Sequence, residues 1–370
     1  MSTVPSPHLA ELSAGSVATV YGTRPEIIKL AGIIDALGEK ASTIYSGQHF
    51  DQLLSDVFFE ELDLSAPDVM LAVGGRRRGQ QIGELVLRLE ERFAAQRPAV
   101  VVVQGDTNTA LAGALAAAKQ HIPVVHLEAG ARSWNRAMPE EINRVLADQC
   151  ADLNLAPTEE AVANLRREGV RESTIRLIGS TSVDACRLHA PRTAARRAGL
   201  LGRFGISGDY AFATVHRAEN TRPEVLPGIY AALAELSRDL PIVLALHPRT
   251  RAIGVPLPDE PALQAIDPLG YLDALALVGG ARLILTDSGG LQEEAPALGT
   301  PAVVMRRDTE WADLLGPTGN VLAGNDRDGI VRAAHEVLAR ASERVDVPWI
   351  EARVGAGERA VAEIERLLAA

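Results

Sequence analysis

The chain has few cysteines, no long apolar run and no excess of positive charge, and each absence excludes a class of protein. The two cysteines among its 370 residues, Cys150 and Cys186, are too few for a disulfide scaffold and lack the spacing of a metal site. No segment approaches the roughly 20 apolar residues of a membrane span. The polar stretch 1–16 has neither the basic start nor the apolar core of a signal peptide. We therefore expect a reduced, cytoplasmic protein without a membrane partner or a metal.

The charge and composition limit the possible partners further. A net charge of −11 at pH 7 argues against nucleic acid, because nucleic acids attract positive surfaces. A composition of 47% hydrophobic and 23% charged residues is that of a globular protein, and the length suggests about two domains. A small anionic ligand remains compatible with this charge if a few basic side chains and helix N-termini gather at one site.

Apolar strand-like runs alternate with helical patterns along almost the whole chain. The run at 99–104 is continuously apolar up to its final glutamine, which is typical of a parallel strand covered on both faces. We predict an α/β fold with two Rossmann-like, doubly wound parallel-sheet domains. The first domain is predicted at 1–185 and the second at 186–355, while the last helix, 356–370, could pack on either.

The individual elements follow from the same alternation. Strands are predicted at 17–21, 43–45, 99–104, 124–127, 153–156, 175–178, 210–214, 242–246, 283–285 and 302–305. Helices are predicted at 26–37, 51–62, 80–93, 107–119, from 139, and at 158–167, 224–237, 270–278, 290–298 and 327–340.

Carboxylates follow strands or open helices in the first half of the chain. Glu128 follows one strand, Asp106 follows another, and Glu140 lies in the first turn of a helix. The carboxyl ends of parallel strands open into the ligand crevice, so these residues are candidates for acid and base chemistry. Local alternatives stay open: Glu128 could pair with Arg132, Asp106 could cap a helix, and Glu140 could complement the helix dipole.

The turn after the first strand carries a second group of charges. Arg24 is directed at the crevice, and Lys29 lies about one helical turn later. A surface ion pair between Glu26 and Lys29 is the local alternative. The turn is therefore a candidate ligand contact, but its residues alone do not decide between that role and the surface ion pair.

A glycine-led helix start in the second half favours a nucleotide site. Ser288, Gly289 and Gly290 offer backbone N–H groups and the helix dipole to a phosphate. Glu294 falls about one turn later, where its carboxylate could accept hydrogen bonds from ribose hydroxyls. Arg306 follows the next strand and adds a positive charge.

An earlier turn in the second half carries a histidine beside an arginine. His216 and Arg217 directly follow a predicted strand. A histidine titrates near neutrality and an arginine binds phosphate well, so this turn predicts a diphosphate contact or a proton shuttle. Together with the glycine-led helix, it indicates an enzyme that acts on a nucleotide-linked sugar.

Ordered motifs over about 17–324 resemble the non-hydrolysing UDP-N-acetylglucosamine (UDP-GlcNAc) 2-epimerases. The matching motifs are GTRPEIIKL, SGQHFD, VQGDTNTALAGALAA, HLEAGARS, MPEEINR, ATVHRAEN, LHPRT, GYLDAL and TDSGGLQEEAPALGTP. The resemblance implies a fold of the glycosyltransferase-B type with the active site between two domains. It also implies that the C-terminal helix returns to the first domain, that the protein is a homodimer, and that no cofactor is needed.

The reaction that the resemblance implies is inversion at C2 of UDP-GlcNAc to give UDP-ManNAc. UDP is eliminated to leave 2-acetamidoglucal and is then added back. The acid/base residues implied are Asp106, Glu128 and Glu140, with His216 in catalysis or diphosphate binding; which carboxylate takes the C2 proton stays open. The ligand-binding residues predicted are Arg24, Lys29, Arg132, Arg217, His247, Tyr271, Ser288, Gly289, Gly290, Glu294 and Arg306.

The chain departs from the family pattern at two positions. Trp311 stands where the family commonly has a ligand-contacting arginine, and it could stack on a ring or close a pocket. This version resembles the subgroup that epimerises UDP-2,3-diacetamido-2,3-dideoxyglucuronate, whereas GTRPEIIKL and VQGDTNT resemble the UDP-GlcNAc enzymes. Asp51 stands where members with an activator site often have glutamine. We predict UDP-GlcNAc as substrate; the alternatives are a modified UDP-sugar and, more remotely, a hydrolysing epimerase or a glycosyltransferase.

Overall fold

The chain forms two compact units in a computed structural model that describes residues 15–48, 59, 61–316, 318–340 and 348–369. The first unit comprises Met1–Ala185 together with Arg353–Ala370, and the second comprises Cys186–Ala352. The predicted helix at 51–62 falls mostly outside the described residues, and Asp51 lies outside them as well.

The strands and helices alternate as the sequence predicts. The strands are β1 Val17–Tyr21, β2 Ala41–Tyr45, β3 Val69–Met70, β4 Val100–Gln104, β5 Val124–Leu127, β6 Leu153–Ala156, β7 Ile175–Leu177, β8 Ala211–Val215, β9 Ile242–Leu246, β10 Leu263–Ile266, β11 Leu283–Thr286, β12 Ala302–Val304 and β13 Val321–Leu322. The helices are α1 Arg24–Leu37, α2 Arg78–Ala95, α3 Asn108–Lys119, α4 Pro139–Cys150, α5 Glu159–Arg167, α6 Thr181–Arg203, α7 Leu226–Ser237, α8 Pro248–Ala252, α9 Tyr271–Val278, α10 Gly289–Ala297, α11 Arg327–Arg340, α12 Pro348–Glu351 and α13 Ala356–Ala369.

Each unit is built on one parallel sheet. The first sheet has the order β3-β2-β1-β4-β5-β6-β7, and the second has the order β10-β9-β8-β11-β12-β13. In both sheets the strand order reverses beside the unit's first strand, between β1 and β4 and between β8 and β11. Ligands of doubly wound sheets bind outside the carboxyl ends of the strands at such a switch point. The prediction of two doubly wound α/β domains is confirmed.

The sequence prediction missed three strands. β3 and β13 have two residues each, which is too few to show a period, and the four residues of β10 are mostly only partly buried and include Gln264. All three are edge strands of the described sheets. The strands that carry candidate site residues at their ends were all predicted.

The C-terminal helix α13 packs within the first unit. It contacts α1, and Asp184 accepts hydrogen bonds from the backbone N–H groups of Gly355 and Gly357, both at 2.8 Å. Arg359 donates to the carbonyl oxygen of Ile178 at 2.7 Å. These contacts attach the chain end to the domain that contains β1, which its amphipathic pattern alone could not specify.

We expect two glycines near α1 to respond to alanine in opposite directions. At Gly22, a Cβ atom would overlap the hydroxyls of Ser46 and Thr109, which lie 2.7 Å apart, so Gly22→Ala should cost about 1–3 kcal/mol of unfolding free energy. At Gly32 a Cβ would meet nothing within 4 Å, and Gly32→Ala should add about 0.5–1 kcal/mol. Urea denaturation of both variants measures the contrast, and equal shifts would contradict it.

Candidate active site

The turn between β1 and α1 is organised by a buried carboxylate, Glu26. Its Oε2 accepts hydrogen bonds from the N–H groups of Gly22 at 3.0 Å and Thr23 at 2.8 Å, and from the Thr23 hydroxyl at 2.8 Å. Its Oε1 accepts from the hydroxyl of Thr107 at 2.9 Å, which ties this turn to the one after β4. The alternative of a surface pair between Glu26 and Lys29 is therefore wrong. Arg24 lies half-buried at the start of α1.

Glu128 is held by two donors that are distant in sequence. Lys29 Nζ and Gln104 Nε2 both donate to Glu128 Oε2, the latter at 2.6 Å. Glu128 also adopts a positive φ of 65°, a backbone conformation that is uncommon outside glycine and that concentrates at functional sites. The local alternative that Glu128 pairs with Arg132 is wrong. Glu128 keeps 18% of its side chain exposed at the end of β5.

Asp106 lies on the neighbouring turn, after β4. Its carboxylate pairs with Arg144 of α4 and keeps 35% of its side chain exposed. Asn143 donates to its carbonyl oxygen at 2.9 Å. Helix α3 is capped by Thr107, whose hydroxyl accepts from the Ala110 N–H at 3.0 Å, so the alternative role of Asp106 as a helix cap is wrong.

The two glutamates that open α4 have different surroundings. Glu141 is buried and accepts hydrogen bonds from the Ser133 and Trp134 N–H groups at 3.0 and 2.9 Å, which fixes the loop after β5. Glu140 is partly exposed and makes no hydrogen bond or ion pair with the other described residues. Of the two, Glu140 is therefore the carboxylate that is available to a ligand.

Arg132 is fully buried inside the first domain. Its guanidinium pairs with Asp148 and with Glu168, the latter with Nε at 3.0 Å and Nη2 at 2.5 Å. Burial opposes the charge, but both carboxylates outweigh it and raise the pKa of Arg132. These contacts give Arg132 a role within the domain, and we do not retain it among the ligand-binding residues.

In the second domain, Asp287 joins the two turns at the switch point. It follows β11 and accepts hydrogen bonds from the N–H groups of His216 and Arg217, which follow β8, at 3.0 and 2.9 Å. The Asn220 amide donates to it at 3.1 Å, and His216 Nδ1 lies 3.0 Å away. Burial opposes ionisation of Asp287, but His216 and the backbone donors outweigh it and lower its pKa to about 2.

These contacts orient His216. With Nδ1 facing Asp287, the other ring nitrogen is the one available on a side chain that is 36% exposed. The ring of His247 lies 6.0 Å away between centroids, and its Nδ1 accepts from the Arg249 N–H at 3.1 Å. The structure therefore brings His216, Arg217 and His247 to one edge of the second sheet.

The glycine-led start of α10 lies beside the same switch point. Ser288 is the N-cap, and Gly289 and Gly290 form the first helical positions. A Cβ at Gly289 would lie 2.7 Å from Glu310 Oε1 and 3.4 Å from Arg217 Nη2, so a larger residue here would displace the end of the Glu310 side chain. Glu294 is partly exposed one turn into the helix.

Arg306 is a buried cation next to this helix start. It is 1% exposed, and its Nη1 lies 2.8 Å from Glu310 Oε2. The geometry of that pair is not aligned, and within the described residues none of the three guanidinium nitrogens makes a hydrogen bond. Its Nη2 also lies 3.5 Å from Asp308 Oδ1, so two carboxylates lie near a cation whose N–H groups are not directed at either of them.

Two further residues are more buried than the sequence suggested. Trp311 is 3% exposed, with its Nε1 3.7 Å from the Cβ position at Gly289, so it packs against the start of α10. Tyr271 is 4% exposed, and its hydroxyl lies 3.8 Å from Cys186 Sγ. Burial raises the pKa of Tyr271 well above its ordinary value.

The contacts add several residues that the sequence prediction left out. Gln104, Arg144 and Asp287 contact the predicted site residues Glu128, Asp106 and His216. Glu26 instead fixes the turn that carries Arg24. Only their location in the sequence could have indicated these residues, because each lies in or beside one of the motifs quoted above. In the described ranges, no group of three or more histidines, cysteines, aspartates or glutamates could hold a metal ion, and no helix has the length and apolarity to cross a membrane.

Glu26 makes the stability of the first domain depend on pH. Burial raises the pKa of Glu26 to about 7, and its four hydrogen bonds offset only part of that effect. A raised pKa means that stability is full below about 4.5, the ordinary value, and is lost as pH rises to about 7. The expected loss is about 3 kcal/mol at most. Denaturation of wild type and Glu26→Gln across this pH range measures the loss. The free energy of unfolding of the variant should lack this pH dependence, and parallel pH curves for the two proteins would contradict the assignment.

Two Rossmann-like domains, with carboxylates after strands of one sheet and a glycine-led helix start at the switch point of the other, define a two-domain α/β fold of the glycosyltransferase-B type. A family model described as UDP-N-acetylglucosamine 2-epimerase matches residues 35–362. The chain belongs to this family, and it is an epimerase. The family prediction made from the motifs is confirmed.

Individual relatives agree with the family assignment. A UDP-2,3-diacetamido-2,3-dideoxy-D-glucuronate 2-epimerase of Pseudomonas aeruginosa is 41% identical over 332 residues, covering 88% of this chain and 92% of the relative. A UDP-N-acetylglucosamine 2-epimerase of Methanocaldococcus jannaschii is 41% identical over 338 residues, covering 87% and 92%.

Solved structures are also similar. The M. jannaschii UDP-GlcNAc 2-epimerase in complex with UDP-GlcNAc and UDP has a TM-score of 0.85 at 37% identity, covering 95% of this chain and 99% of that one. The Neisseria meningitidis enzyme bound to UDP-GlcNAc has a TM-score of 0.88 at 28% identity, covering 95% and 100%.

Proposed function

We propose that this protein is a non-hydrolysing epimerase that interconverts UDP-GlcNAc and UDP-ManNAc. The observation that carries the proposal is the division of chemistry between the two switch points. Partly exposed carboxylates lie at the first, and an anion-binding helix start with a histidine and two arginines lies at the second. Relatives and structural neighbours named for this reaction support the same assignment.

The reaction proceeds by elimination and re-addition. A base removes the proton from C2, a double bond forms between C1 and C2, and the C1–O bond breaks, so that UDP leaves with the electron pair. The intermediate is 2-acetamidoglucal. UDP oxygen then attacks C1 while an acid returns a proton to C2 from the opposite face. Two proton-transferring groups and a firm grip on UDP are therefore required.

The first domain supplies the proton-transferring groups. Asp106, Glu128 and Glu140 are each partly exposed at or near the carboxyl edge of the first sheet. Lys29 and Gln104 hold the Glu128 carboxylate in one orientation, and Arg144 does the same for Asp106. Positioned groups of this kind contribute more than free ones because the geometry is fixed before reaction.

The second domain supplies the nucleotide site. The Ser288 N–H donates to the Thr286 hydroxyl at 3.0 Å, so the Ser288 hydroxyl and the backbone N–H groups of Gly289 and Gly290 face the diphosphate. Glu294 accepts hydrogen bonds from the ribose hydroxyls. His216, oriented by Asp287, donates to the departing UDP oxygen. Arg217 and the buried Arg306, whose nitrogens lack directed acceptors, neutralise the charge of UDP. Arg24, His247 and Tyr271 complete the proposed ligand set.

A second candidate substrate is UDP-2,3-diacetamido-2,3-dideoxyglucuronate. The P. aeruginosa relative named for that sugar is as similar as the M. jannaschii UDP-GlcNAc epimerase, at 41% identity each. Trp311 offers no positive charge at a position where the family commonly has arginine. The two candidates differ at C3 and C6 of the sugar, so a direct comparison of substrates separates them.

Proton NMR of the purified protein in deuterated water tests the proposal. With UDP-GlcNAc, we expect UDP-ManNAc to appear and the C2 position of both sugars to gain deuterium. Turnover of the diacetamido-glucuronate alone would move the assignment to the second candidate. Free ManNAc with UDP would indicate a hydrolysing enzyme, and no exchange with either sugar would refute the proposal.

We also propose that the protein acts as a homodimer in the cytoplasm. The resemblance to the family implies the dimer, and the cysteine usage and the sequence pattern favour a reduced compartment. Light scattering coupled to gel filtration measures the mass in solution. A single 39.3 kDa species at working concentration would contradict the dimer.

A further inference from the structure

A network of four bonded side chains lies next to the two turns of the first domain that carry Asp106 and Glu128. His126 of β5 contacts Asp148 of α4, with Nδ1 and Oδ1 2.6 Å apart. Asp148 pairs with Arg132, and Arg132 pairs with Glu168. The side chains of His126, Asp148 and Arg132 are fully buried, and Glu168 is 19% exposed. The proposed reaction uses none of these four groups directly.

The hydrogen bonds of His126 define its protonation. Its Nε2 lies 2.7 Å from the carbonyl oxygen of Gly105, which can only accept, so Nε2 carries a proton. Its Nδ1 faces Asp148, whose other oxygen accepts from Arg132 and from the Gly130 N–H at 3.2 Å. A buried carboxylate that already accepts from a guanidinium and a backbone N–H on one oxygen has the surroundings of an ionised group. An ionised Asp148 also requires a proton at Nδ1, so both ring nitrogens donate.

The same network of side chains is hydrogen-bonded to backbone groups of both turns that carry the carboxylates. His126 binds the carbonyl of Gly105, the residue before Asp106. Asp148 accepts from the N–H of Gly130, two residues after Glu128. Arg132 donates to the carbonyl of Ala131 at 2.7 Å. Both turns contain positive φ angles, 68° at Gly105 and 81° at Gly130, which a regular strand end would not adopt.

We propose that His126 is held as a doubly protonated imidazolium and acts with Asp148 and Arg132 as the positioning group that fixes the turns bearing Asp106 and Glu128. The proposal rests on the function proposed above for those two carboxylates. Within the described part of the protein, the titratable side chains that bond to one another here are His126, Asp148, Arg132 and Glu168, which alternate in sign. A neutral His126 protonated at Nε2 would still donate to the Gly105 carbonyl, but its Nδ1 could not donate to Asp148, and the proton between them would have to lie on the carboxylate.

Nitrogen NMR of protein labelled at histidine tests the protonation without using activity. At about pH 8, where an ordinary histidine is neutral, His126 should show two protonated ring nitrogens. Its signals are assigned by their loss in His126→Gln, or by spin coupling in wild type if that variant does not fold. One unprotonated ring nitrogen at that pH, with the proton on Asp148 instead, would overturn the proposal.

Two variants of His126 test the positioning role. In His126→Gln the side-chain amide nitrogen takes the place of Nε2 and can still donate to the Gly105 carbonyl. In His126→Asn the amide nitrogen takes the place of Nδ1 and can donate only to Asp148. We expect His126→Asn to lower kcat about 100-fold with KM within about threefold, and His126→Gln to recover at least tenfold of this loss. Glu172→Gln, which removes an exposed pair with Arg166, is the surface control and should match wild type.

The outcomes separate a structural role from a positioning role. If kcat followed thermal stability alone, with Asn and Gln equally impaired, His126 would be structural and the proposal would fail. If wild type showed the doubly protonated ring but no C2 exchange with either sugar, the proposed function would fail while the protonation stood. An active wild type with a neutral His126 would reject this inference alone.

Discussion

Glu128→Gln is expected to reduce kcat about 1,000-fold while UDP affinity stays within a few-fold. The amide keeps the shape of the side chain, and its oxygen can still accept from Lys29 and Gln104, but it can no longer take up a proton. The residues proposed to bind UDP belong to the other domain, so ligand binding should persist. Initial rates by NMR and UDP titration by calorimetry measure the two effects.

A surface carboxylate provides the control for Glu128→Gln. Glu84 lies in α2 of the same domain, where it pairs with Arg88 and Arg76 on a partly exposed surface. Glu84→Gln should leave kcat unchanged, because exposed pairs contribute little. A fully active Glu128→Gln would remove Glu128 from the mechanism, and a variant that lost UDP binding as well would indicate that the domain had been disrupted.

Asp287→Asn is expected to impair both the stability and the ligand binding of the second domain. The carboxylate receives N–H groups from His216, Arg217 and Asn220, and an amide nitrogen in its place would face other donors. A lowered pKa means that its contribution is complete above about 3.8 and disappears as pH falls to about 2. The shift from 3.8 to about 2 corresponds to about 2 kcal/mol.

Loss of Asp287 should also release His216. We expect kcat to fall about 100-fold, because His216 would no longer have one fixed orientation, and UDP to bind more weakly. Denaturation followed by tryptophan fluorescence includes a signal from this domain through the buried Trp311, and the same measurement on Trp134→Phe removes the signal of the first domain. Asp209→Asn, which removes an exposed pair with Arg282 in the same domain, is the control. Equal stability and kinetics of the two variants would exclude this role for Asp287.

The alternation of buried strands and helices made the fold predictable. Continuous apolar runs such as the one that ends at Gln104 indicate strands covered on both faces, and the turns after them carry the candidate residues. The short strands β3 and β13 could not be predicted, because two residues have no periodicity. They lie away from the switch points, so missing them did not affect the predicted site.

The local alternatives considered for the charged residues were wrong where the true partner is distant in the sequence. A pair between Glu128 and Arg132, four residues apart, was one such alternative, but the partners of Glu128 are Lys29 and Gln104, 99 and 24 residues away. Arg132 instead satisfies two carboxylates inside the domain. A buried charge needs compensation, and the nearest charge in sequence is not the nearest in space once strands align side by side.

The sequence by itself determined the two parallel sheets, the family and the turns that carry the chemistry. Strand periodicity and glycine-led turns are local properties, so they can be read from neighbouring residues. Only the tertiary structure decided which charges meet: Lys29 with Glu128, Arg144 with Asp106, and His216 with Asp287. Each pair joins residues from separate elements, two of them a helix and a strand end and the third two strand ends, so each depends on how the elements pack around the sheet.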